Sequence, residues 1–319
     1  MRINSKFLGI ICMIVAHVFF TTQDMTIKFI NGDYALHQVM FIRSIVALLF
    51  TFLIFFPIDG GYKHLLTQRP GLHFLRGFGI VVANFCFFSA LITMPLSEVV
   101  AIFFIAPLLI TALSEFLIGE KVGLRSWVAV LVGLLGVMIM LRPGFGLFNP
   151  VSILPLVAAL AYALVQIMTR KIGENEKAST MAFYIQLNFV AVSGLMGLIF
   201  GDGHLADPSQ PTLNYLFRPW TVPSWGDGMI IIGIGLINGL AAYFISQAYR
   251  ISKAGIIAPF EYVALPLSIF WSITIFGDWP DILSWLGMVL IAGAGLYVVY
   301  NESVQGRKNI LYGPMPRNR

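Results

Sequence analysis

The sequence predicts an all-α integral membrane protein: ten transmembrane helices arranged as two inverted five-helix repeats, with both termini in the cytoplasm. Three observations carry this expectation. They are an apolar composition, ten apolar runs with a one-sided distribution of charge, and matched residues at one constant spacing. Of the 319 residues, 58% are hydrophobic and only 11% charged, against about 25% charged in soluble domains. A soluble chain of this length would lack the charges to cover such a core. The formal net charge of +5 comes from Lys and Arg placed singly or in pairs between apolar runs. No basic stripe with interleaved aromatics exists, so nucleic acid is not expected as a partner. Cys12 and Cys86 lie inside apolar runs and imply no disulfide framework.

A helix needs roughly 20 mainly apolar residues to cross the hydrocarbon core. The runs lie near 7–29, 35–57, 73–93, 97–118 and 126–142, then 151–170, 179–200, 228–249, 254–276 and 283–300. The first follows Arg2 and Lys6 without a convincing small-residue cleavage site, and is read as a helix that is kept. Every connection is short except 201–227, which is rich in Asp, Pro and Trp. With both termini cytoplasmic, only Lys28, Arg142 and Arg218 of the 20 Lys and Arg residues fall on the outer side, and Arg43 falls within the second helix. The others, Arg76 among them, fall on the cytoplasmic side, as the positive-inside rule requires. One helix more or fewer would scramble that asymmetry.

The internal repeat is clearest in the fifth and tenth helices. Ser126-Trp127 matches Ser284-Trp285 and Glu120 matches Asp278, all at an offset of 158 residues. Pro107 lies 13 residues before Glu120, and Pro266 lies 12 before Asp278. The chain divides into residues 1–149 and 150–302, followed by a cytoplasmic tail at 303–319. Each half has an odd number of spans, so the second sits inverted relative to the first. Inverted repeats of this kind mark secondary transporters.

Four short stretches then carry a family resemblance: FIRS (41–44), LIGE (117–120), LRPG (141–144) and APFEY (258–262). In this order and at these helix positions, the chain resembles the EamA-type transporters of the drug/metabolite transporter superfamily over about residues 7–302. The resemblance implies ten helices around a central cavity that carries small polar or amphipathic metabolites across the bacterial inner membrane. Such transporters include amino-acid exporters and importers of riboflavin or S-adenosylmethionine. The chain departs from the family in Asp278, where Glu is common, and in the long 201–227 loop.

Ionisable and amide groups within the spans are the candidate site residues, because they are costly in lipid and face a cavity or a partner. His17, Thr21, Asp24 and Lys28 share one helix face, with Gln23 beside Asp24. Two readings stand: Gln23 and Asp24 line a cavity, or Asp24 pairs with Lys28 one turn on and anchors the helix end. Tyr162 with Gln166, and Tyr184 with Asn188, each fall one turn apart. Asn84, Asn238 and Gln247 add further amides, each able to bond a neighbouring helix instead. Arg43 requires an acid such as Asp24 or Glu261, or serves an anionic group of the solute. Glu261, in APFEY beside Tyr262, is the leading candidate, as a proton-coupling group or a binder of a solute amine. Glu98 and Glu115 sit near helix ends and rank below it. Trp271 lies on a similar face to Glu261. Phe85, Phe87 and Phe88 are expected to face lipid or pack in the core.

Pro107, Pro259 and Pro266 remove helical hydrogen bonds and are the expected gating bends. A membrane-embedded enzyme or a channel is the alternative class. The chain lacks HExxH, GxSxG, DDxxD and P-loop patterns. Scattered His residues imply no metal or cofactor. The expected partners are a small-molecule solute and membrane lipid, with the chain acting as a monomer or homodimer.

Overall fold

The computed structural model describes residues 5–30, 34–67, 69–118, 124–141, 149–172, 176–251 and 258–312, and every regular element among them is helical. Helix α1 spans Ser5–Phe29. Its threonines bond back to carbonyls four residues earlier, Thr22 Oγ1 to Val18 O at 2.8 Å and Thr26 Oγ1 to Thr22 O at 2.7 Å. Such back-bonding satisfies hydroxyls where no water is present. Helix α2 runs Leu36–Ile58 and turns over at Gly60 and Gly61, whose φ angles of 106° and 103° suit glycine. Helix α3, Pro70–Ala90, opens on a proline at its first turn, where the missing N–H costs nothing.

The fourth expected span is broken. Helix α4 covers Leu96–Phe103 and α5 restarts at Ala106–Ile118. The cause is Pro107, which lacks an N–H and crowds the carbonyl four residues back, that of Phe103, the last residue of α4. Helix α6 is Leu124–Leu141. Helix α7, Ile153–Ile172, follows a short turn in which Asn149 Oδ1 accepts from Val151 N at 3.0 Å. Helix α8 is Ala178–Phe200. The long connection holds an unexpected short helix, α9, Pro211–Phe217, before α10, Trp225–Ile251.

The ninth expected span is broken as well. A 3₁₀ turn over Ala258–Val263 leads into α11, Ala264–Phe276. Pro266 stands four residues after Tyr262 in that turn, and so repeats the relation of Pro107 to Phe103. Both prolines therefore sit in the first turn of a restarted helix, where they are tolerated, and not mid-helix as expected. Helix α12, Ile282–Tyr312, is capped by Asp281, whose Oδ1 accepts from Ser284 N at 2.7 Å, and runs twelve residues beyond the expected end. Glu120, Arg142 and residues 254–257 of the expected ninth span lie outside the described residues, as do the side chains of Glu115, Ser126 and Pro259.

Among the described residues, six helices are long and apolar enough to cross a membrane (α1, α2, α3, α7, α8 and α10), and four shorter apolar stretches lie at Leu96–Ile110, Trp127–Met140, Phe260–Phe276 and Ile282–Tyr297. Leucines 53, 131, 135 and 198 face outward from the bundle, a pattern lipid accepts and water does not. The chain is a multi-pass membrane protein. In the bundle α1 packs on α10, and α3 packs on α7 and α8. Helix α2 packs on α8 and α10, α4 on α11, and α6 on α12. The last pair is close because Gly136 and Gly287 face each other. A Cβ on Gly136 would lie 2.9 Å from Gly287 O, and one on Gly287 would lie 2.8 Å from Gly136 O. Small residues at a crossing permit this approach in lipid.

Candidate functional site

The helices enclose a cavity of about 160 Å³ between α1, α3, α4, α5, α7, α8, α10 and the 258–263 turn. At about 10–15 Å³ per water position, that is room for on the order of ten waters, or for a small solute. Of the sequence candidates, Gln23, Asp24, Asn84, Tyr162, Gln166, Asn238 and Glu261 line it, as do Pro107, His17 and Thr21. The structure adds Arg76, Thr169, Gln186, Ser246 and Tyr249 to the lining. Phe87 and Phe88, expected to face lipid or the core, form an aromatic wall with Phe103, Phe104 and Phe189.

One polar wall is a chain of amides across three helices. Gln186 Nε2 on α8 donates to Asn238 Oδ1 on α10 at 2.6 Å. Asn238 Nδ2 donates to Gln23 Oε1 on α1, also at 2.6 Å. Gln23 Nε2 then faces Asp24 Oδ1 at 3.4 Å. On the same helix His17 Nδ1 meets Met13 O at 3.0 Å. If Nδ1 donates there, Nε2 is left as an acceptor on the cavity side.

The second polar wall surrounds Glu261, which is buried. Tyr249 donates its hydroxyl to Glu261 Oε1, and Tyr162 on α7 also acts on this carboxylate. No Lys or Arg pairs with Glu261 among the described residues. A buried carboxylate needs compensation by hydrogen bonds or a cation. Here phenols supply what is present.

Arg43 does not pair with Glu261 and forms no ion pair among the described residues; it stands behind the lining. Its guanidinium is wholly buried and donates from Nη2 to Asn84 Oδ1 at 3.1 Å. The Phe189 and Phe88 rings lie 4.9 Å and 5.7 Å from it, contacts worth about 0.5–2 kcal/mol each. Arg76, expected on the cytoplasmic side at the start of the third run, is 2% exposed and donates to Thr169 Oγ1 at 3.2 Å and to Met181 O at 2.6 Å.

Other expectations are relocated. Lys28 does not pair with Asp24; it reaches Asp278 Oδ2 at 3.4 Å and Met94 O at 3.0 Å. Asn188, Tyr262 and Trp271 are not among the lining residues. Asn188 bonds Tyr184 O at 2.7 Å, and Tyr184 turns to Leu65 O at 3.1 Å, towards the 62–67 connection. Tyr262 is buried against Phe104 and Gly295. Gln247 accepts from Arg250 Nε at 3.0 Å. Among the described residues, no three His, Cys, Asp or Glu side chains gather as metal ligands.

The two ends of the cavity differ. At the Lys28 end, Lys28–Asp278 is backed by the Phe276 ring, 4.8 Å from Nζ. Tyr34 donates to Asp227 Oδ2 at 2.7 Å. Gln38 exchanges two bonds with Thr221, and a His37 ring nitrogen meets Leu216 O at 2.8 Å. These contacts tie the 201–227 connection over the start of α2. At the other end, Arg76, Thr169, Tyr249 and Glu261 bring the lining to within two turns of their helix ends.

Comparison with known proteins places this chain in a family. Residues 7–142 match the model of the EamA-like transporter family. A riboflavin transporter of Vibrio cholerae is 30% identical over 77% of this chain and 77% of its own. An S-adenosylmethionine uptake transporter of Rickettsia prowazekii is 25% identical over 92% of this chain and 93% of its own. The pseudopaline exporter CntI of Pseudomonas aeruginosa is 21% identical over 90% and 94%. A solved crystal structure shares the fold with a TM-score of 0.66 at 18% identity, over 94% of this chain and 98% of its own. The chain belongs to the EamA-like transporter family, within the drug/metabolite transporter superfamily.

Proposed function

We propose that this protein is a secondary transporter that moves a small polar or amphipathic metabolite across the bacterial inner membrane by alternating access. In this reading it has ten spans, both termini are cytoplasmic, and residues 1–149 and 150–302 are inverted repeats. The observation that carries it is the cavity with its two polar walls, flanked by two helices broken at prolines.

Two relationships support the repeat. Exchanging α1, α2, α3, α4–α5 and α6 with α7, α8, α10, the 258–263 turn with α11, and α12 maps the most extensive helix packings onto one another. Gly77 and Gly235, 158 residues apart, each let a neighbouring helix approach. A Cβ would fall 2.3 Å from Asn188 Nδ2 at the first and 2.6 Å from Val46 Cβ at the second. A carrier built from such halves exposes a midplane site to either side by rocking.

Amides and phenols facing an aromatic wall suit a planar heteroaromatic solute with several hydrogen-bonding groups. A compound like riboflavin or S-adenosylmethionine, the solutes that name two relatives, has that character. Glu261 either exchanges the coupling proton or holds a solute amine. The test is uptake of each compound by reconstituted vesicles holding the parent or Glu261→Gln, across mildly acidic to mildly alkaline pH. Loss of uptake, or of its pH dependence, is expected. Full uptake with unchanged pH dependence in the variant would remove both roles.

A further inference from the structure

The amide chain has a direction, and the direction has a free end. An ionised carboxylate only accepts hydrogen bonds, so Asp24 turns the Gln23 amide with its NH₂ towards Asp24 and its Oε1 towards Asn238. That oxygen orients Asn238 with its NH₂ towards Gln23 and Oδ1 towards Gln186. Gln186 must then donate, and its own Oε1 is left over. It is buried and without a hydrogen-bond partner among the described residues, on a residue that lines the cavity. Amide orientations are assigned from such networks, and here one end of the network fixes every member.

We propose that Gln186 is a specificity-determining residue whose hydrogen-bonding character is set by Asp24 through Gln23 and Asn238. While Asp24 is ionised, the cavity presents the Gln186 oxygen, an acceptor for an N–H or O–H of the solute. If Asp24 holds a proton, it donates to Gln23, all three amides turn over, and Gln186 presents its NH₂. The chain thus converts a charge on α1 into a choice of solute group on α8, with no contact between proton and solute. This rests on the reading of the cavity as the solute site. Arg43 on α2 is the charged group acting on Asp24. His17 on its own helix, Arg76 on α3 and Glu261 in the 258–263 turn share the cavity with it. Of the remaining elements packed on α1, Glu98 lies on α4, while Asp227 and Arg250 lie at the two ends of α10; α11 carries no charged residue.

The test needs no solute. In lipid nanodiscs, the infrared carboxyl band that disappears in Asp24→Asn is followed through a pH titration. Gln186→Leu, which touches neither Asp24 nor Gln23, is expected to move the midpoint by about half a pH unit or more, because hydrogen bonding to one protonation state shifts a titration. Asn238→Ser cuts the chain in the middle and should act likewise if Gln186→Leu does not fold. Asn188→Ala, an amide on the same helix outside the chain, should leave the midpoint in place. An unmoved midpoint in the folded chain variant, or an equal shift in Asn188→Ala, overturns the proposal. Either result leaves the transport reading standing, and absent transport with a shifted midpoint would sink that reading, and with it the choice of solute by Gln186, while the coupling of Asp24 to Gln186 stands.

Discussion

Phe104 and Tyr262, 158 residues apart in sequence, meet with ring centroids 5.4 Å apart and planes tilted by 38°. Each sits at an interruption between helical segments, Phe104 between α4 and α5 and Tyr262 in the turn before α11. The Tyr262 hydroxyl is buried without a partner among the described residues, so its removal exposes no lost bond. Tyr262→Phe should leave the melting temperature of the detergent-solubilised protein unchanged or raised. Gly295→Ala should lower it, by about 1–3 kcal/mol of overpacking, because the new Cβ would fall 2.1 Å from Tyr262 Cζ. A lower melting temperature for Tyr262→Phe would contradict the contact.

The prolines that follow these two residues keep α5 and α11 separate from what precedes them. With Pro107→Ala and Pro266→Ala combined, the missing N–H groups return and each span can close into one helix. Transport by the double variant should fall several-fold while stability holds or rises, as removal of a helix breaker allows. Unchanged transport rates would remove the hinge role.

The Lys28–Asp278 pair is expected to act as a latch more than as a stabiliser. Its side chains are 12% and 37% exposed, and such pairs contribute about 0–1 kcal/mol. Asp278→Asn should therefore change the melting temperature little. It should speed labelling of a cysteine at Thr21, in a Cys12→Ser, Cys86→Ser background, by an impermeant maleimide added from the Lys28 side. Equal labelling rates would place the barrier elsewhere.

On the exposed 202–204 turn, the His204 imidazole and amide hold the Asp202 carboxyl below the usual carboxylate range. A depressed carboxyl stabilises the fold above its unfolded titration range, and that contribution fades as pH falls through the folded one. The site is open to solvent, so His204→Ala should shift the melting temperature barely at neutral pH and not at all in acid. A shift of many degrees would mean that this turn holds more of the fold than its exposure suggests.

Six of the spans were legible because a lipid-crossing helix must be apolar for about 20 residues. The lining amides Gln23, Asn84, Gln166 and Asn238 were legible because a polar group in such a run needs a reason. What misled was local spacing standing in for three-dimensional neighbours. Asp24 and Lys28 are one turn apart, yet Lys28 finds Asp278 across the bundle. Tyr184 and Asn188 form a tidy polar face, but it serves the 62–67 connection and α8 itself, while Gln186 between them faces the cavity. The charge rule placed Arg76 on the cytoplasmic side but gave it no partner. Its acceptors, Thr169 and Met181 O, lie about 100 residues on, where no local pattern could point.

The central claim is that one cavity is exposed to each side in turn. Counterflow measures this most directly, in vesicles reconstituted with the purified protein, preloaded with riboflavin or S-adenosylmethionine and given the labelled compound outside. For the solute it carries, the account predicts saturable uptake accelerated by the internal load and abolished by Asn238→Leu, which removes the centre of the lining amide chain. Flux that neither saturates nor responds to the internal load would contradict it and indicate a channel.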